Sequence, residues 1–143
     1  MAKFLNKQEL QQIAEAIKEA ENQSSGEIVV SIIKHAKGDI YQQAEKEFIN
    51  KGINQTKERN GVLVLLAYKD HKLAILGDQG INQKVQEDFW DESLKLMTSH
   101  FKSGHYAQGL SEGILHIGEQ LKQYFPWQEG DQNELGDDVH VEA

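Results

Sequence analysis

The chain has 143 residues, of which 38% are hydrophobic and 27% charged, a balance that suits one domain with a single core. It has no cysteine, which excludes disulfides and thiolate metal sites. No stretch approaches the roughly 20 apolar residues of a membrane helix, and polar residues directly follow Leu5 in place of a signal core. We therefore expect a cytoplasmic protein without membrane contact, and a monomer.

The acidic charge is concentrated near the C-terminus. The formal net charge is −8, and residues 1–128 contribute only −2 of it, because six acids and no Lys or Arg follow. This surplus disfavours binding to nucleic acid, whose affinity depends on Lys and Arg contacts with phosphates. It is compatible with a hard cation such as Ca²⁺ or Mg²⁺. The acids are Glu129, Asp131, Glu134, Asp137, Asp138 and Glu142.

Helical and strand patterns alternate in the first half of the chain. Apolar residues at intervals of three and four predict a helix over 7–22, and Asn6 with Glu9 has the spacing of a capping box. The nearly continuous apolar run over 28–33 is typical of a strand that is covered on both faces. Asp39 then caps a predicted helix over 40–51, which ends at Gly52.

The second half begins with two strands and continues with two helices. The runs 61–68 and 72–77 predict strands, and the short polar turn between them can join only antiparallel neighbours. Helical spacing resumes after Gly80 as far as Phe101, and again over 106–124. Three glycines lie inside this last helix, which predicts close packing against a neighbouring element: Gly109, Gly113 and Gly118.

The order of elements is helix, strand, helix, strand, strand, helix, helix and tail. It predicts an α/β fold, a Rossmann-like αβα sandwich with a small mixed sheet. We assign residues 1–127 to this domain and residues 128–143 to an acidic tail. The tail either packs near the site described next or is disordered.

Three loops are expected to meet at one end of the sheet. The crossover helix makes the first two strands parallel, and the third is antiparallel to the second. Residues 24–27, 56–61 and 77–80 therefore share one end, and the last helix delivers the tail to it. The candidate residues there are Asp78, Asn60 and Arg59 for catalysis, the backbone of Gly77, Gln79 and Gly80 for an anion, and Asp78, Glu27, Asp88, Asn133 and Glu134 for a cation.

These residue types suit a cation and a phosphate together. Carboxylate and amide oxygens are the ligands that Ca²⁺ and Mg²⁺ prefer. A helix N-terminus preceded by glycine offers N–H groups to an anion, and Arg59 can bind a phosphate through two N–H groups. The alternatives are that Asp78 only caps a helix and that Asn60-Gly61 is only a turn. In the tail, 131–142 fits an EF-hand loop poorly because Leu135 occupies a ligand position, although Asn133 and Glu134 remain candidates.

Several segments resemble the signature segments of the TPM domain family, also called the TPM phosphatase family. They are 25–30 (SGEIVV), 59–63 (RNGVL), 77–81 (GDQGI), Phe89-Trp90, Phe101-Lys102 with Gly104, Tyr106 with Gly109-Leu110, Phe125-Pro126 and 133–135 (NEL). The resemblance implies a Rossmann-like sandwich, divalent-metal binding and phosphatase or nucleotide phosphohydrolase activity. Many relatives carry a signal peptide and a membrane segment, and this chain resembles a stand-alone cytoplasmic bacterial member.

Two functions follow from this sequence. The first is a metal-dependent phosphohydrolase of low specificity, in which Asp78 and one of Glu87, Asp88 or Glu134 hold Ca²⁺ or Mg²⁺. Its substrate is a phosphate ester or a nucleotide, held by Arg59 and the backbone of 77–81. The second is a non-catalytic module that binds Ca²⁺ or a protein partner through the same acidic end, which the lack of an obvious nucleophile or general base favours. A third interpretation is a structural domain whose acidic end is only a solvated surface, and it predicts no specific cation binding.

Overall fold

The computed structural model describes residues 4–127 and 139–141. It has the predicted alternation of helices and strands, and the first helix begins with the predicted capping box between Asn6 and Glu9. Two short 3₁₀ segments, Ile53–Gln55 and Glu87–Trp90, interrupt the loops. The helices are α1 (Lys7–Gln23), α2 (Ile40–Asn50), α3 (Gln79–Asn82), α4 (Asp91–Phe101) and α5 (Tyr106–Lys122), and the strands are β1 (Glu27–Ile33), β2 (Gly61–Ala67), β3 (Lys72–Gly77) and β4 (Val139–Val141).

The sheet is mixed and has the strand order β3-β2-β1-β4. Strands β1 and β2 are parallel, and β3 is antiparallel to β2, as the sequence predicted. Strand β4 pairs in parallel with Val30–Ile32 of β1 and was not predicted. Three residues in a polar tail give no periodic signal, so only the pairing with β1 reveals this strand.

Helices cover both faces of the sheet, which confirms the predicted sandwich. Residues Ile28, Val30 and Ile32 of β1 face the core that contains α1, α4 and α5. The alternate residue Val29 faces the smaller core, which contains α2. Because successive side chains of a strand point to opposite faces, burial on both sides explains why β1 reads as a continuous apolar run. None of the described helices is long and apolar enough to cross a membrane.

The helical glycines of α5 pack against neighbouring helices, as predicted. A Cβ atom on Gly118 would lie 2.8 Å from Cβ of Ala20 in α1. A Cβ atom on Gly113 would lie 2.4 Å from two side-chain carbons of Met97 in α4. The lost helix propensity, about 1 kcal/mol per glycine, therefore accompanies close contact of α5 with both neighbours.

The segment after Gly80 differs from the single helix that we predicted. It forms the one-turn helix α3, then an extended residue at Gln86, a 3₁₀ turn, and finally α4. The interruption brings Trp90 against Gly77, where a Cβ atom would lie 2.8 Å from the indole ring. The apolar spacing continues across the break because both helical pieces face the same core.

Candidate functional site at one end of the sheet

Three loops meet at one end of the sheet, which we call the site end and define as residues 24–27, 56–61 and 77–80. The N–H of Asp78 donates to the carbonyl of Gly61 at 2.9 Å, and the N–H of Glu27 donates to the carbonyl of Asn60 at 3.3 Å. The N–H of Gly80 donates to the carbonyl of Arg59 at 2.8 Å. The predicted convergence of these loops is therefore confirmed.

The end of α5 also reaches the site end, as the topology predicted. The N–H of Ser25 donates to the carbonyl of Phe125 at 2.8 Å, and Ser24 forms an isolated antiparallel bridge with Pro126. The acidic residues that follow, together with the candidate ligands Asn133 and Glu134, lie outside the described residues.

Arg59 and Asp78 form a two-pronged ion pair at the site end. Nε of Arg59 donates to Oδ2 of Asp78 at 2.7 Å, and Nη2 donates to Oδ1 at 2.9 Å. The Asp78 side chain is 5% exposed, whereas the Arg59 side chain is 39% exposed. The hydrogen bonds that Arg59 donates to Asp78 raise the pKa of Arg59 above its ordinary value. The guanidinium is thus charged and fixed against a buried carboxylate.

The pair fixes one edge of the guanidinium and leaves the opposite edge open. A guanidinium has five N–H donors, and Asp78 takes one from Nε and one from Nη2. Nη1 of Arg59 makes no hydrogen bond to any residue that the structure describes. The edge formed by Nη1 and the second Nη2 hydrogen has the fork geometry that binds phosphate or carboxylate.

The backbone of Arg59 lies in the left-handed region, with φ 52°. Such a φ is uncommon for residues other than glycine and marks positions that the surrounding contacts must hold. Those contacts are present, since the N–H of Arg59 donates to the carbonyl of Thr56 at 3.2 Å and its carbonyl accepts from Gly80. Strain at a charged residue beside converging loops is a sign of a functional position.

Asn60 belongs to a hydrogen-bonded chain that the sequence analysis did not identify. Its side chain is buried, and Nδ2 donates to Oγ of Ser25 at 3.1 Å. Oγ of Ser25 donates in turn to Oε2 of Glu58 at 2.7 Å. Neither Ser25 nor Glu58 is among the residues that the sequence predicts for the site. The sequence signal that could have identified them is their position in two of the loops predicted to converge.

The backbone that we expected to bind an anion is hydrogen-bonded within the loop. The N–H of Gln79 donates to Oδ1 of Asp78 at 2.8 Å, so Asp78 caps α3. The N–H groups of Gly80 and Ile81 donate to the carbonyls of Arg59 and Asp78. An anion at this turn would have to displace those bonds, and a helix of four residues contributes little dipole.

The two glycines of this loop have packing reasons of their own. A Cβ atom on Gly80 would lie 2.3 Å from the carbonyl oxygen of Glu58 and 2.5 Å from that of Arg59. Gly77 is covered by Trp90, as described above. Only glycine permits the approach of the α3 turn to the loop that precedes β2.

The candidate cation ligands do not form a cluster among the described residues. No group of three or more His, Asp or Glu side chains suited to a metal occurs within residues 4–127 and 139–141. Glu27 is buried at the first position of β1, and Asp88 is exposed in a 3₁₀ turn. Both oxygens of Asp78 accept hydrogen bonds from Arg59. The carboxylate and amide oxygens at the site end nevertheless have the chemistry that suits Ca²⁺ or Mg²⁺.

A second arrangement of catalytic residue types lies between α4 and α5. Oγ of Ser93 is 2.9 Å from Nδ1 of His116, and Nε2 of His116 is 3.6 Å from a carboxylate oxygen of Glu92. Ser93 is 0% exposed and also donates to Gln120. No substrate can reach a hydroxyl in that position, so these residues link the two helices.

Comparison with known proteins agrees with this architecture. Residues 1–120 match the sequence model described as the TPM domain. The NMR structure of the BA42 protein from Bizionia argentinensis superimposes with a TM-score of 0.94 at 38% identity, over 99% of this chain and 98% of that one. The N-terminal domain of cg2496 from Corynebacterium glutamicum has a similar fold, with a TM-score of 0.64 at 14% identity over 90% and 78% of the two chains. No curated protein sequence matches. This chain belongs to the TPM domain family.

Proposed function

We propose that this TPM domain is a divalent-cation-dependent phosphohydrolase of low specificity, which acts on a phosphate ester or nucleotide at the site end. The observation that supports it best is the state of Arg59. One edge of its guanidinium is held by a buried carboxylate, and the other edge makes no bond to a described residue. Because the guanidinium is held in place before the substrate arrives, Arg59 loses little side-chain entropy when it binds a phosphate.

In this proposal Asp78 is a positioning residue. It accepts two hydrogen bonds from Arg59 and one from the N–H of Gln79. A divalent cation bound to Asp78 would lie beside the charged Arg59, and repulsion between the two positive charges would weaken the contact of the buried Asp78 carboxylate with Arg59. We therefore assign the cation to other oxygens and give Asp78 the task of orienting Arg59 toward the phosphate.

The chain from Asn60 through Ser25 to Glu58 is assigned to the attacking water. Asn60 is fixed by its buried position and by the bond from its N–H to Oγ1 of Thr56 at 3.2 Å. Glu58 is exposed and is hydrogen-bonded to Ser25. A carboxylate in contact with solvent can accept a proton from water, and a fixed amide can orient it.

Ca²⁺ or Mg²⁺ is assigned to oxygen ligands among Glu27, Asp88, Asn133 and Glu134. Such a cation supplies Lewis-acid stabilisation of the negative charge that develops on the phosphoryl group. The interaction of Arg59 with the phosphate is independent of this choice of ligands. The two contributions can therefore be tested separately, one by a cation titration and the other by substitution of Arg59.

The test measures phosphate release from p-nitrophenyl phosphate and from a panel of nucleotides, with EDTA, Ca²⁺ or Mg²⁺. We expect turnover that requires the cation and that falls roughly 100-fold in Arg59→Gln, the scale on which loss of one charge-stabilising donor acts. Lys95→Gln is the matched control, since Lys95 is an exposed cation on α4 away from the site end. Turnover that is unchanged in Arg59→Gln, or insensitive to EDTA, would overturn the proposal.

Thermal unfolding separates binding from catalysis. A cation that binds only the folded protein stabilises it by about 2.7 kcal/mol at 100 times its Kd. We expect this shift in the wild type and its loss in Glu27→Gln. A shift without turnover on any substrate would favour the second function, a non-catalytic module for Ca²⁺ or a protein partner. The internal hydrogen bonds of Gln79, Gly80 and Ile81, which occupy the expected anion site, favour that alternative.

A further inference from the structure

A cavity of about 440 Å³ lies at the opposite end of the sheet, away from every residue assigned above. We call this the hairpin end and define it by the β2–β3 turn (68–71) and the α4–α5 turn (102–105). A volume of this size is within the range of small-molecule sites. The residues that line it are Leu66, His71, Lys72, Leu73, Leu94, Thr98, Phe101, Lys102 and Tyr106.

The walls of the hairpin-end cavity are apolar and held in place by stacked aromatic rings. The ring of Phe101 stacks on Tyr106 with centroids 4.9 Å apart, and Tyr106 meets the edge of Phe4 at 4.8 Å. Phe4 stacks in turn on Tyr68 of the hairpin at 4.0 Å. Aromatic pairs of this kind stabilise a structure beyond the effect of buried area alone. The cavity is therefore preformed, and a ligand need not order its walls.

The rim of the cavity is cationic, although the chain is acidic overall. His71, Lys72 and Lys102 are exposed at the rim, and no Asp or Glu is among the lining residues. Within the part of the chain that the structure describes, neither lysine has a carboxylate within 4.0 Å. In a protein of formal charge −8, two lysines beside an apolar cavity form a local site for negative charge, and Asp70 in the adjoining turn is the acidic group that interacts with Lys72.

We propose that this cavity binds a small amphipathic anion, an apolar body with a single carboxylate head group. The body occupies the space between Leu73, Leu94 and Phe101, where burial of its CH₂ groups favours binding. The carboxylate meets Lys72 and Lys102 at the rim, where charge-assisted hydrogen bonds orient it. The proposal does not depend on phosphohydrolase activity, because it uses none of the residues of the site end.

Calorimetric titration with octanoate, octanol and octylamine tests this charge preference. The three probes share one apolar body and differ in the charge of the head group. We expect octanoate to bind about tenfold more tightly than octanol, and octylamine to bind most weakly. Equal affinity for octanoate and octanol, preference for octylamine, or no binding of octanoate would overturn the proposal.

Substitutions locate the binding. In the double variant Lys72→Gln with Lys102→Gln, octanoate affinity should fall to that of octanol, while octanol affinity stays unchanged. Lys95→Gln, which removes an exposed cation from α4 outside the cavity, should change neither. Thr98→Trp places a ring at an exposed rim position and should block both ligands without loss of the folded state, checked by circular dichroism. Undiminished octanoate binding in Thr98→Trp would place the ligand elsewhere and overturn the assignment.

Discussion

The two ends of the sheet each hold one left-handed residue other than glycine, and they hold it differently. Among the described residues these are Arg59 at the site end, with φ 52°, and His71 at the hairpin end, with φ 54°. Arg59 is fixed by two bonds to Asp78 and by its backbone contacts, whereas His71 is an exposed turn residue at the rim of an open cavity. Among the described residues, side-chain hydrogen bonds hold this left-handed conformation at Arg59 but not at His71.

The charged and polar groups at the two ends also differ in burial and in their hydrogen bonds. At the site end, buried polar groups bond to each other, and Asp78 and Asn60 are 5% and 1% exposed. Such a network specifies one arrangement and is disrupted when one member is lost. At the hairpin end, the cations lie in solvent beside apolar walls, so each is replaceable at little cost in stability. We therefore expect substitutions of polar residues to cost more stability at the first end than at the second.

The largest effect is expected for Gly80→Ala at the site end. The new Cβ atom would lie 2.3 Å and 2.5 Å from two backbone carbonyl oxygens, which cannot move aside as a flexible side chain can. The loop must shift and lose its bonds to Arg59, so we expect a loss of about 3 kcal/mol in the free energy of unfolding. Urea denaturation followed by circular dichroism measures it.

The matched substitution at the hairpin end is Gly104→Ala. No atom lies within 4 Å of its added Cβ, but Gly104 has φ 78°, so only backbone strain opposes the change. We expect a loss of about 1–2 kcal/mol. A larger loss at Gly104 than at Gly80 would contradict the view that the site end is the more tightly constrained.

Replacing each left-handed residue, His71 or Arg59, with glycine should change the stability of the fold in opposite directions. His71→Gly removes left-handed strain and few contacts, so we expect a stability gain of about 0.5 kcal/mol after the entropic cost of glycine is counted. Arg59→Gly relieves the same strain but leaves the buried Asp78 carboxylate without its partner. We expect a net loss of stability, because the charge-assisted hydrogen bonds to a buried carboxylate contribute more than the strain costs.

Chemical denaturation of the two variants at neutral pH measures both changes. Arg59→Lys is the control, because it keeps the charge and the strain but removes the two-pronged geometry. Its stability should lie between those of the wild type and Arg59→Gly. If Arg59→Gly is as stable as the wild type, the ion pair does not hold this loop, and Asp78 loses its assigned positioning role.

Much of this fold was predictable because its signals are local. Strands β1 and β2 are buried on both faces and read as unbroken apolar runs, and the short polar turn fixed β3 as antiparallel. The convergence of loops at the site end followed from that topology. The topology did not predict the bidentate geometry of Arg59 or the link from Ser25 to Glu58. Both depend on side-chain packing between loops that are distant in sequence. Strand β4 was not predicted for a similar reason, because its position depends on pairing with β1, which is distant in sequence.

The smallest effect concerns Asp70, which links the β2–β3 turn to the segment after β1. Its pKa is lowered by the hydrogen bond with Nδ1 of His35 at 2.6 Å and by that from the N–H of Ala36 at 2.8 Å. A lowered folded pKa means that the ionised carboxylate stabilises the fold above the unfolded pKa of about 3.9 and ceases to do so as the pH falls through the folded value. Melting curves of the wild type and Asp70→Asn should therefore differ at pH 7 and converge as the pH falls below about 4. Because Asp70 lies near the surface, we expect a difference of a few degrees at most, and a gap that persists unchanged at low pH would assign the effect to the shape of the turn instead of the charge.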